Sequence, residues 1–509
     1  MLFKILTKSQ LISLSILSLI VIIAFGSTYQ NEFLGMDDHV YVWDNPYIRD
    51  GLTIEGIVWA FKADLTTQSE FADYWQPVTF ISRMIDISLF KFNAGAHHMM
   101  NLFFHLCNVW LLYFFILRVF KSHLKSLLIT SLFALHPLHA EIIGWTTARK
   151  DVLSVFFGLL SMHVYLWHCV KKSAISTIIL AFSFALSLMA KPMMITLPIL
   201  LLTFDMYRLN ENNVSITIKN MFRHLLNKWP LFIMIICYLP IPFLGQPQAF
   251  EYDVNHPLVK GIVGYVFYLG KILLPLNLSL YGPIPELPIA WWKFFVSLGI
   301  LLILFKTSVS LRKKSRLLIV GYLWFIIASV PIIGLTWPAD RFMYLPMIGV
   351  WIMIIGLCDI LFKNDKIVIT LISVWLLFFA IQSFRQITVW RNDDSLMNRA
   401  LEFSSENYSA HNVLGVTYAK NKEDTRALYH LNEAIRIRPD RDKPYNNIGL
   451  ILEQQERFEE AIKYYEESVK RNPKDFRTIN NIGIVYVRTN RFDEGISYFQ
   501  EALKLNPKA

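Results

Sequence analysis

The sequence predicts an all-α protein, in which a polytopic bundle of about eleven membrane-spanning helices precedes a C-terminal solenoid of paired helices. Apolar residues make up 54% of the 509-residue chain and charged residues only 17%, which is the balance of a membrane protein. Residues 1–390 contain many apolar runs close to the roughly 20 residues that cross a bilayer. Residues 391–509 are polar and repeat with a fixed period, which predicts a second domain.

Eleven apolar runs are candidate spans and define the predicted membrane domain, residues 1–390. The first run follows Lys4 and Lys8, and no small-residue cleavage site follows it, so we expect an uncleaved anchor. The runs are residues 9–28, 98–119, 125–144, 151–170, 174–190, 193–208, 229–246, 291–309, 316–335, 343–362 and 366–384.

Basic loops between alternate runs predict the orientation of the bundle. Lys and Arg favour the cytoplasmic side, which puts the N-terminus in the cytoplasm and the first loop, residues 29–97, outside. A polar stretch at 209–228 is expected to form a helix on the cytoplasmic surface. The apolar stretch 258–280, in the outer loop 247–290, is interrupted by two lysines and a proline. We expect it to be re-entrant or interfacial, and a twelfth span stays open.

The C-terminal region repeats every 34 residues. Small residues allow paired helices to approach, and proline ends the second helix of each pair, which is the tetratricopeptide pattern. About three repeats are therefore predicted within residues 391–509, after a degenerate leading helix at 393–405. The residues in register are Gly415, Gly449 and Gly483, with Pro439, Pro473 and Pro507.

Asparagines also recur in register along the repeats. An amide both donates and accepts hydrogen bonds, so a ladder of amides can hold the backbone of an extended polypeptide. The alternatives are a structural role facing a turn and a generic protein-binding groove. The candidate groove residues are Asn412, Asn446, Asn447, Asn480 and Asn481.

Two adjacent carboxylates, Asp37 and Asp38, lie shortly beyond the first predicted span. An acid at this position can reach both a lipid headgroup and water, and a positioned carboxylate can take the proton of a hydroxyl nucleophile. The alternative is a solvated acidic turn. Four other side chains of the first loop are candidates for a sugar or acceptor pocket: His39, Asp44, Trp75 and Asp86.

Several cations on the predicted outer face oppose the positive-inside bias. A phosphate at the outer leaflet accounts for them, and snorkelling to headgroups is the alternative. These candidate phosphate ligands are Arg149, Lys150, Lys191 and Arg341.

A histidine-rich segment lies beside these cations, and His136, His139 and Glu141 join the candidate pocket. Two histidines with a glutamate resemble a metal-binding set, but Pro137 separates them and the HExxH spacing is absent. The sequence therefore favours no metal site.

Other functional classes are disfavoured. The net charge of +10 comes from basic residues in short loops rather than from a basic stripe with aromatics, so no nucleic-acid partner is expected. The four cysteines lie in apolar runs and lack zinc-site spacing. Neither a P-loop nor a dinucleotide-binding fingerprint is present.

A set of motifs resembles the transmembrane and tetratricopeptide-repeat O-mannosyltransferases and their bacterial relatives, which are C-type glycosyltransferases. The resemblance covers nearly the whole chain. The motifs are Asp37-Asp38 with Tyr41-x-x-Asp44-Asn45, Trp75-x-Pro77, HHMMNLFFH at 97–105, LFALHPLHAEIIGW-x3-RKDVLS at 132–154, AKP at 190–192 and ADRFMYLP at 339–346.

The resemblance implies transfer of a sugar, mannose in the family, from a polyprenyl- or dolichyl-phosphate donor to Ser/Thr hydroxyls of proteins. It places the catalytic base in the first outer loop, here Asp37 or Asp38. The lipid phosphate is a good leaving group that needs cations rather than an acid, the role given to the four outer cations. Adjacent Asp side chains usually point apart, unlike the carboxylates about 5–5.5 Å apart in retaining hydrolases, which favours inversion. No cofactor is expected, although an Asp pair can bind a divalent metal weakly.

Two other interpretations stay open. One is a non-enzymatic membrane scaffold that recruits partners through its repeats, and the other is a C-type transferase acting on a lipid or glycan. In each case the sequence predicts an integral membrane protein in contact with lipid. The short array and the tail without disulfides favour a bacterial plasma membrane, with the endoplasmic reticulum as the location in a eukaryote.

Overall fold

The computed structural model describes residues 7–63, 75–211, 217–241, 257–280, 289–331 and 339–506. All regular secondary structure in these ranges is helical, which confirms the predicted all-α class. The chain forms two compact units, the first ending at Arg391 and the second beginning at Asn392.

The first unit contains helices at most of the predicted spans. Among the described residues, five helical segments are long and apolar enough to cross a membrane: Lys8–Gln30, Ala94–Phe120, Thr146–Val170, Trp291–Lys313 and Asp365–Val389. Shorter apolar helices are His123–Ala134, Ala174–Ala190, Trp229–Tyr238, Leu317–Ser329 and Met347–Leu361. Other helices of this unit are Asp38–Val42, Pro46–Arg49, Ile54–Lys62, Pro77–Phe90, His139–Gly144, Leu197–Glu211, Ile218–Leu226 and Pro257–Leu273.

The run predicted as one span at 125–144 forms two helices. The first ends at Ala134, and a short helix begins at His139. Pro137 lies in the gap, where it has no N–H to donate and its ring would clash with a preceding turn of helix. The helix of this run is therefore interrupted at Pro137, and the crossing of a bilayer by residues 125–144 stays a prediction.

The apolar stretch predicted as re-entrant or interfacial contains the helix Pro257–Leu273. Two of its tyrosines donate to backbone carbonyls of other segments: Tyr265 to Ile326 at 2.9 Å and Tyr268 to Ala339 at 3.0 Å. This stretch is therefore packed inside the first unit. Its placement relative to a bilayer stays a prediction.

Close helix packing in the first unit depends on glycine. A Cβ added to Gly321 would lie 2.4 Å from the carbonyl oxygen of Gly349, and one added to Gly349 would lie 2.5 Å from that of Gly321. The helices Leu317–Ser329 and Met347–Leu361 thus meet backbone to backbone, as small residues permit in membrane proteins.

The first and last long helices of this unit end side by side. The Asn31 amide donates to the carbonyl of Trp390 at 3.0 Å, and the backbone N–H of Glu32 donates to Arg391 at 2.8 Å. The loop that carries the acidic pair therefore starts beside the point where the chain leaves the first unit.

The second unit is a row of helical hairpins with a leading helix at its start. The 34-residue register has a steric cause, because a Cβ on Gly449 would lie 2.5 Å from a ring carbon of Tyr465 in the paired helix. The leading helix predicted at 393–405 occupies Asp393–Phe403. The hairpin helices are Tyr408–Lys420 with Asp424–Ile437, Lys443–Gln454 with Phe458–Arg471, and Phe476–Arg488 with Phe492–Leu505.

Candidate functional site

The described parts of the first loop, residues 29–63 and 75–97, have a small hydrophobic core of their own. Tyr41, Val42, Ile48, Phe80 and Met84 are all buried within it. These residues come from three short helices, so the helix that begins at the acidic pair is held on a packed base. The interpretation of this region as a solvated acidic turn is therefore disfavoured.

Asp38 is fully buried, and both of its carboxylate oxygens accept hydrogen bonds from the protein. Oδ1 accepts from the backbone N–H of Thr147 at 3.0 Å and from the Thr147 hydroxyl at 2.6 Å, and Oδ2 accepts from the backbone N–H of Leu34 at 2.9 Å. Asp38 thus joins the first loop to the segment that precedes the helix Arg149–Val170.

Asp37 has a different environment from its neighbour. It is half-buried at the start of the helix Asp38–Val42, and its side chain does not cap that helix. Its charge interacts with the ammonium of Lys150, which lies 5.3 Å from the ring centre of Tyr41. Asp37 therefore interacts with the ammonium of Lys150, whereas Asp38 interacts with the guanidinium of Arg83.

Lys150 also interacts electrostatically with Lys191 and Arg341, which come from two other segments of the first unit. Lys191 pairs with Asp151 at 2.6 Å, and its ammonium lies 5.2 Å from the ring centre of Phe342. Burial lowers the pKa of Lys191, Asp151 opposes this shift and Arg341 adds to it. Three of the four predicted phosphate ligands therefore share one region.

Arg341 is held by a carboxylate and by aromatic rings. Its guanidinium pairs with Glu141, and its backbone N–H donates to the second Glu141 oxygen at 3.0 Å. The guanidinium carbon lies 5.0 Å from the ring centres of both Trp145 and Phe342. Glu141 thus orients this cation beside the other two.

Arg149, the fourth predicted phosphate ligand, makes its contacts with other residues of the protein. It pairs with Asp86 at 2.7 Å and donates to Asn101 at 2.5 Å, to Ser82 at 3.0 Å and to the carbonyl of His97 at 2.9 Å. These contacts, all buried or partly buried, favour a role in joining the first loop to the bundle for both Arg149 and Asp86. Phosphate binding by Arg149 stays a prediction.

A second buried arginine, Arg83, lies under the acidic pair. Burial, and then the charge of Arg149, lower the pKa of Arg83 to about 10, while Asp38 and Asp86 raise it. Its two terminal nitrogens have no hydrogen-bond partner among the described residues. Arg83 and Arg149, with the carboxylates of Asp38 and Asp86, thus form a buried group of balanced charge.

The predicted pocket histidines lie deeper in the bundle. Nε2 of His136 contacts the carbonyl oxygen of Ile272 at 2.9 Å, and Nδ1 accepts from the backbone N–H of Leu138 at 3.2 Å. His139 packs against the ring of Tyr344, with the ring centres 4.7 Å apart. Over the described parts of the chain, no group of three or more His, Cys, Asp or Glu could hold a metal ion.

The remaining first-loop candidates are scattered around the acidic pair. His39 is half-buried in the helix that Asp38 begins, and Asp44 is exposed at the end of the following turn. The Trp75 indole donates to the carbonyl of Phe61 at 3.0 Å, which closes the loop on itself.

In the second unit, some asparagines of the ladder form hydrogen bonds between neighbouring repeats. Asn447 donates to Asn412 at 3.3 Å, and Asn481 donates to Asn446 at 3.2 Å. All five predicted groove residues, Asn480 included, are half-buried. The amides thus help to align neighbouring repeats, and binding of a polypeptide by them stays a prediction.

Two residues that join the site together were not predicted from the sequence. Thr147 provides two of the hydrogen bonds to Asp38, and Asn101 donates to the carbonyls of Ile142 and Trp145 while accepting from Arg149. Both lie in or beside the recognised motifs, yet a threonine and an asparagine carry no distinctive spacing.

Comparison with known proteins agrees with the motifs. The chain is 21% identical to human protein O-mannosyl-transferase TMTC1 over 485 residues, which cover 82% of this chain and 54% of that protein. It is also 21% identical to human protein O-mannosyl-transferase TMTC3 over 486 residues, which cover 84% of this chain and 52% of that protein. This chain is a homologue of proteins named protein O-mannosyl-transferases. It spans about half the length of the curated relatives it matches.

The homology confirms the resemblance stated from the motifs. Residues 440–508 match the tetratricopeptide repeat family, which confirms the nature of the C-terminal repeats. Among solved structures, the crystal structure of MamA covers 28% of this chain and 76% of its own, at 23% identity and a TM-score of 0.21. The candidate membrane helices agree with an integral membrane protein.

Proposed function

We propose that this protein is an integral membrane glycosyltransferase that moves a sugar, mannose in the first instance, from a polyprenyl- or dolichyl-phosphate donor to Ser/Thr hydroxyls of proteins. The reaction occurs on the extracytoplasmic face, in a bacterial plasma membrane, and inverts the anomeric centre. It uses no resident metal. The relatives' names support the reaction class, since both are protein O-mannosyl-transferases.

One observation carries the proposal: the half-buried carboxylate of Asp37 interacts with Lys150, and Lys150 in turn interacts with Lys191 and Arg341, which come from separate segments. A protein hydroxyl that attacks the sugar needs a base, and the departing lipid phosphate needs positive charge. In the proposed reaction Asp37 takes the proton of the attacking Ser or Thr hydroxyl. Lys150, Lys191 and Arg341 stabilise the phosphate as its bond to the sugar breaks.

Asp38 has a positioning role in this proposal. Its oxygens already accept three hydrogen bonds from Thr147 and Leu34, which fixes the start of the helix Asp38–Val42. No carboxylate then serves as the nucleophile, and Asp37 acts only as the base for the acceptor hydroxyl. A single displacement by the acceptor hydroxyl forms one bond to the anomeric carbon as the phosphate bond breaks, so the configuration inverts.

The decisive experiment compares two aspartate variants with a matched control. Asp37→Asn should lower the rate of mannose transfer from polyprenyl-phosphate mannose to a Ser/Thr peptide by about 10²–10⁴-fold, the usual contribution of a general base. Asp50→Asn, which changes an exposed carboxylate of the same loop, should leave the rate unchanged. Transfer is measured by mass spectrometry of the peptide, using the purified full chain in nanodiscs.

Asp38→Asn should lower both the activity and the thermal unfolding midpoint, because an amide presents a donor where the carboxylate accepts. Asp37→Asn should keep the native midpoint. Native activity in Asp37→Asn would overturn the assignment of the base. A purified native protein that transfers no sugar, yet still retains partner proteins through its repeats, would favour the scaffold instead. Transfer only to lipid or glycan acceptors would identify the other transferase class.

A further inference from the structure

The helix Ile218–Leu226 has two chemically different faces and no buried residue. Ile218, Met221, Phe222 and Leu226 are exposed, with 87% of Ile218 and 60% of Phe222 accessible. Their spacing of three and four residues puts these side chains on one face of the helix. An apolar face of this kind is unfavourable in water and requires a covering.

The same helix is basic and has no acidic residue. Lys219 and Arg223 are exposed and one helical turn apart. They lie along one edge of the apolar face. Residues 217–229 contain no Asp or Glu. An exposed pair of cations beside an apolar face suits a surface that combines negative charge with hydrocarbon.

A buried ion pair fixes the direction in which this helix leaves the bundle. The ammonium of Lys228 is fully buried and donates to Asp205 at 2.5 Å, to the hydroxyl of Tyr165 at 2.9 Å and to the carbonyl of His224 at 2.9 Å. These bonds tie the end of the helix to two other helices of the first unit. The orientation of its apolar face is therefore set by the fold.

The apolar face continues directly into exposed apolar surface on the next helix. Trp229 begins the next apolar helix, Trp229–Tyr238, and is 53% exposed at the junction, where tryptophan is favoured at headgroup depth. Ile233 and Ile236 of that helix are also exposed. A bilayer that covers Trp229–Tyr238 would thus reach the helix Ile218–Leu226 without a gap.

We propose that the helix Ile218–Leu226 lies in the membrane interface and binds anionic phospholipid headgroups through Lys219 and Arg223, with Phe222 inserted at the acyl boundary. Each basic residue at an anionic surface strengthens binding by about fivefold. The proposal is independent of the transferase activity, since this helix contributes no residue to the candidate site.

The test places a photo-reactive p-benzoyl-phenylalanine at position 222 of the full chain, in nanodiscs that contain phosphatidylcholine and phosphatidylglycerol. A matched control carries the same probe at Phe492, which has similar exposure in the repeat unit. We expect phospholipid adducts at position 222 and far fewer at 492, measured by mass spectrometry. Cross-links from position 222 to a second copy of the chain, or no lipid adduct there, would overturn the proposal.

A charge variant tests the lipid preference. At position 222 the adducts should be richer in phosphatidylglycerol than the bilayer, and this enrichment should fall several-fold in Lys219→Gln/Arg223→Gln. The double variant Arg438→Gln/Arg441→Gln, which removes two exposed cations of the repeat unit, should leave it unchanged. Adducts in the bulk lipid ratio in the native chain would refute selective binding of anionic lipid. Thermal unfolding of each variant establishes that the chain is folded.

Discussion

At the residue scale, burial distinguishes two neighbours that the sequence presents as identical. Asp38 is inaccessible and accepts three hydrogen bonds, whereas Asp37 is half-buried and interacts with Lys150. Consecutive residues at the start of a helix point in directions about 100° apart, so one can be anchored while the other faces the site. The sequence located the pair, but the division of roles depends on Thr147, which is 109 residues from Asp38 in the chain.

Arg149 is a second residue whose role depends on distant contacts. Arg149→Met should lower the free energy of unfolding of the first unit by about 3–5 kcal/mol, because it leaves the buried carboxylate of Asp86 without its partner. Arg49→Met removes an arginine whose pairing with Asp50 is exposed, and it should have little effect. Chemical denaturation of the full chain in detergent measures both.

A small loss in Arg149→Met, comparable to that in Arg49→Met, would contradict the internal role. Arg149 would then return to the candidate phosphate ligands. Measurement of donor affinity in the same variant separates the two roles, since loss of a phosphate ligand weakens donor binding even where the fold is unchanged.

At the scale of elements, apolar runs and basic loops predicted most helices of the first unit. The physical reason is that a bilayer imposes a length and composition on each span, which a single sequence displays. The exception at 125–144 arose because apolar composition continues through Pro137 while the backbone cannot remain helical there. The break matters for function, since Glu141 lies beyond it and orients Arg341.

The repeat helices were predicted from register because close packing allows few residues at the contact. Gly449→Ala should destabilise its hairpin by about 1–3 kcal/mol, since the added Cβ would lie 2.5 Å from the Tyr465 ring. Gly299→Ala is the control, because its Cβ would meet nothing within 4 Å. Hydrogen exchange of the full chain should show faster exchange in Lys443–Gln454 for the first variant alone.

Equal exchange in the two glycine variants would show that Tyr465 can shift at little cost.

The asparagine ladder illustrates what register alone cannot decide. Its period is visible in the sequence, but whether an amide faces a neighbouring repeat or a ligand depends on side-chain geometry. Asn446 accepts from both Asn481 and Thr478, which shows that the same period also serves to align the repeats.

At the scale of the whole molecule, the two units divide the work that the proposed reaction requires. The first unit gathers a carboxylate and cations at one end of a helical bundle, and the second consists of repeats typical of polypeptide recognition. Within the first unit, the acidic loop begins where Asn31 contacts Trp390, immediately before the chain continues into the repeats. The sequence predicts eleven membrane crossings. Because this number is odd, the acidic loop and the repeats are predicted to lie on the same side of the membrane.

Deletion of residues 405–509 tests this division. It should lower kcat/KM for a folded protein acceptor by roughly 10²-fold or more, because a second binding module raises the effective concentration of the acceptor at the site. Transfer to a short Ser/Thr peptide at saturating concentration should be retained, since Asp37 and the cations lie in the first unit. The double variant Asn446→Ala/Asn480→Ala changes only the asparagine ladder and keeps the repeats. A rise in KM for the folded acceptor alone would assign acceptor binding to the ladder. Full activity on folded proteins after the deletion would contradict a polypeptide groove in the repeats.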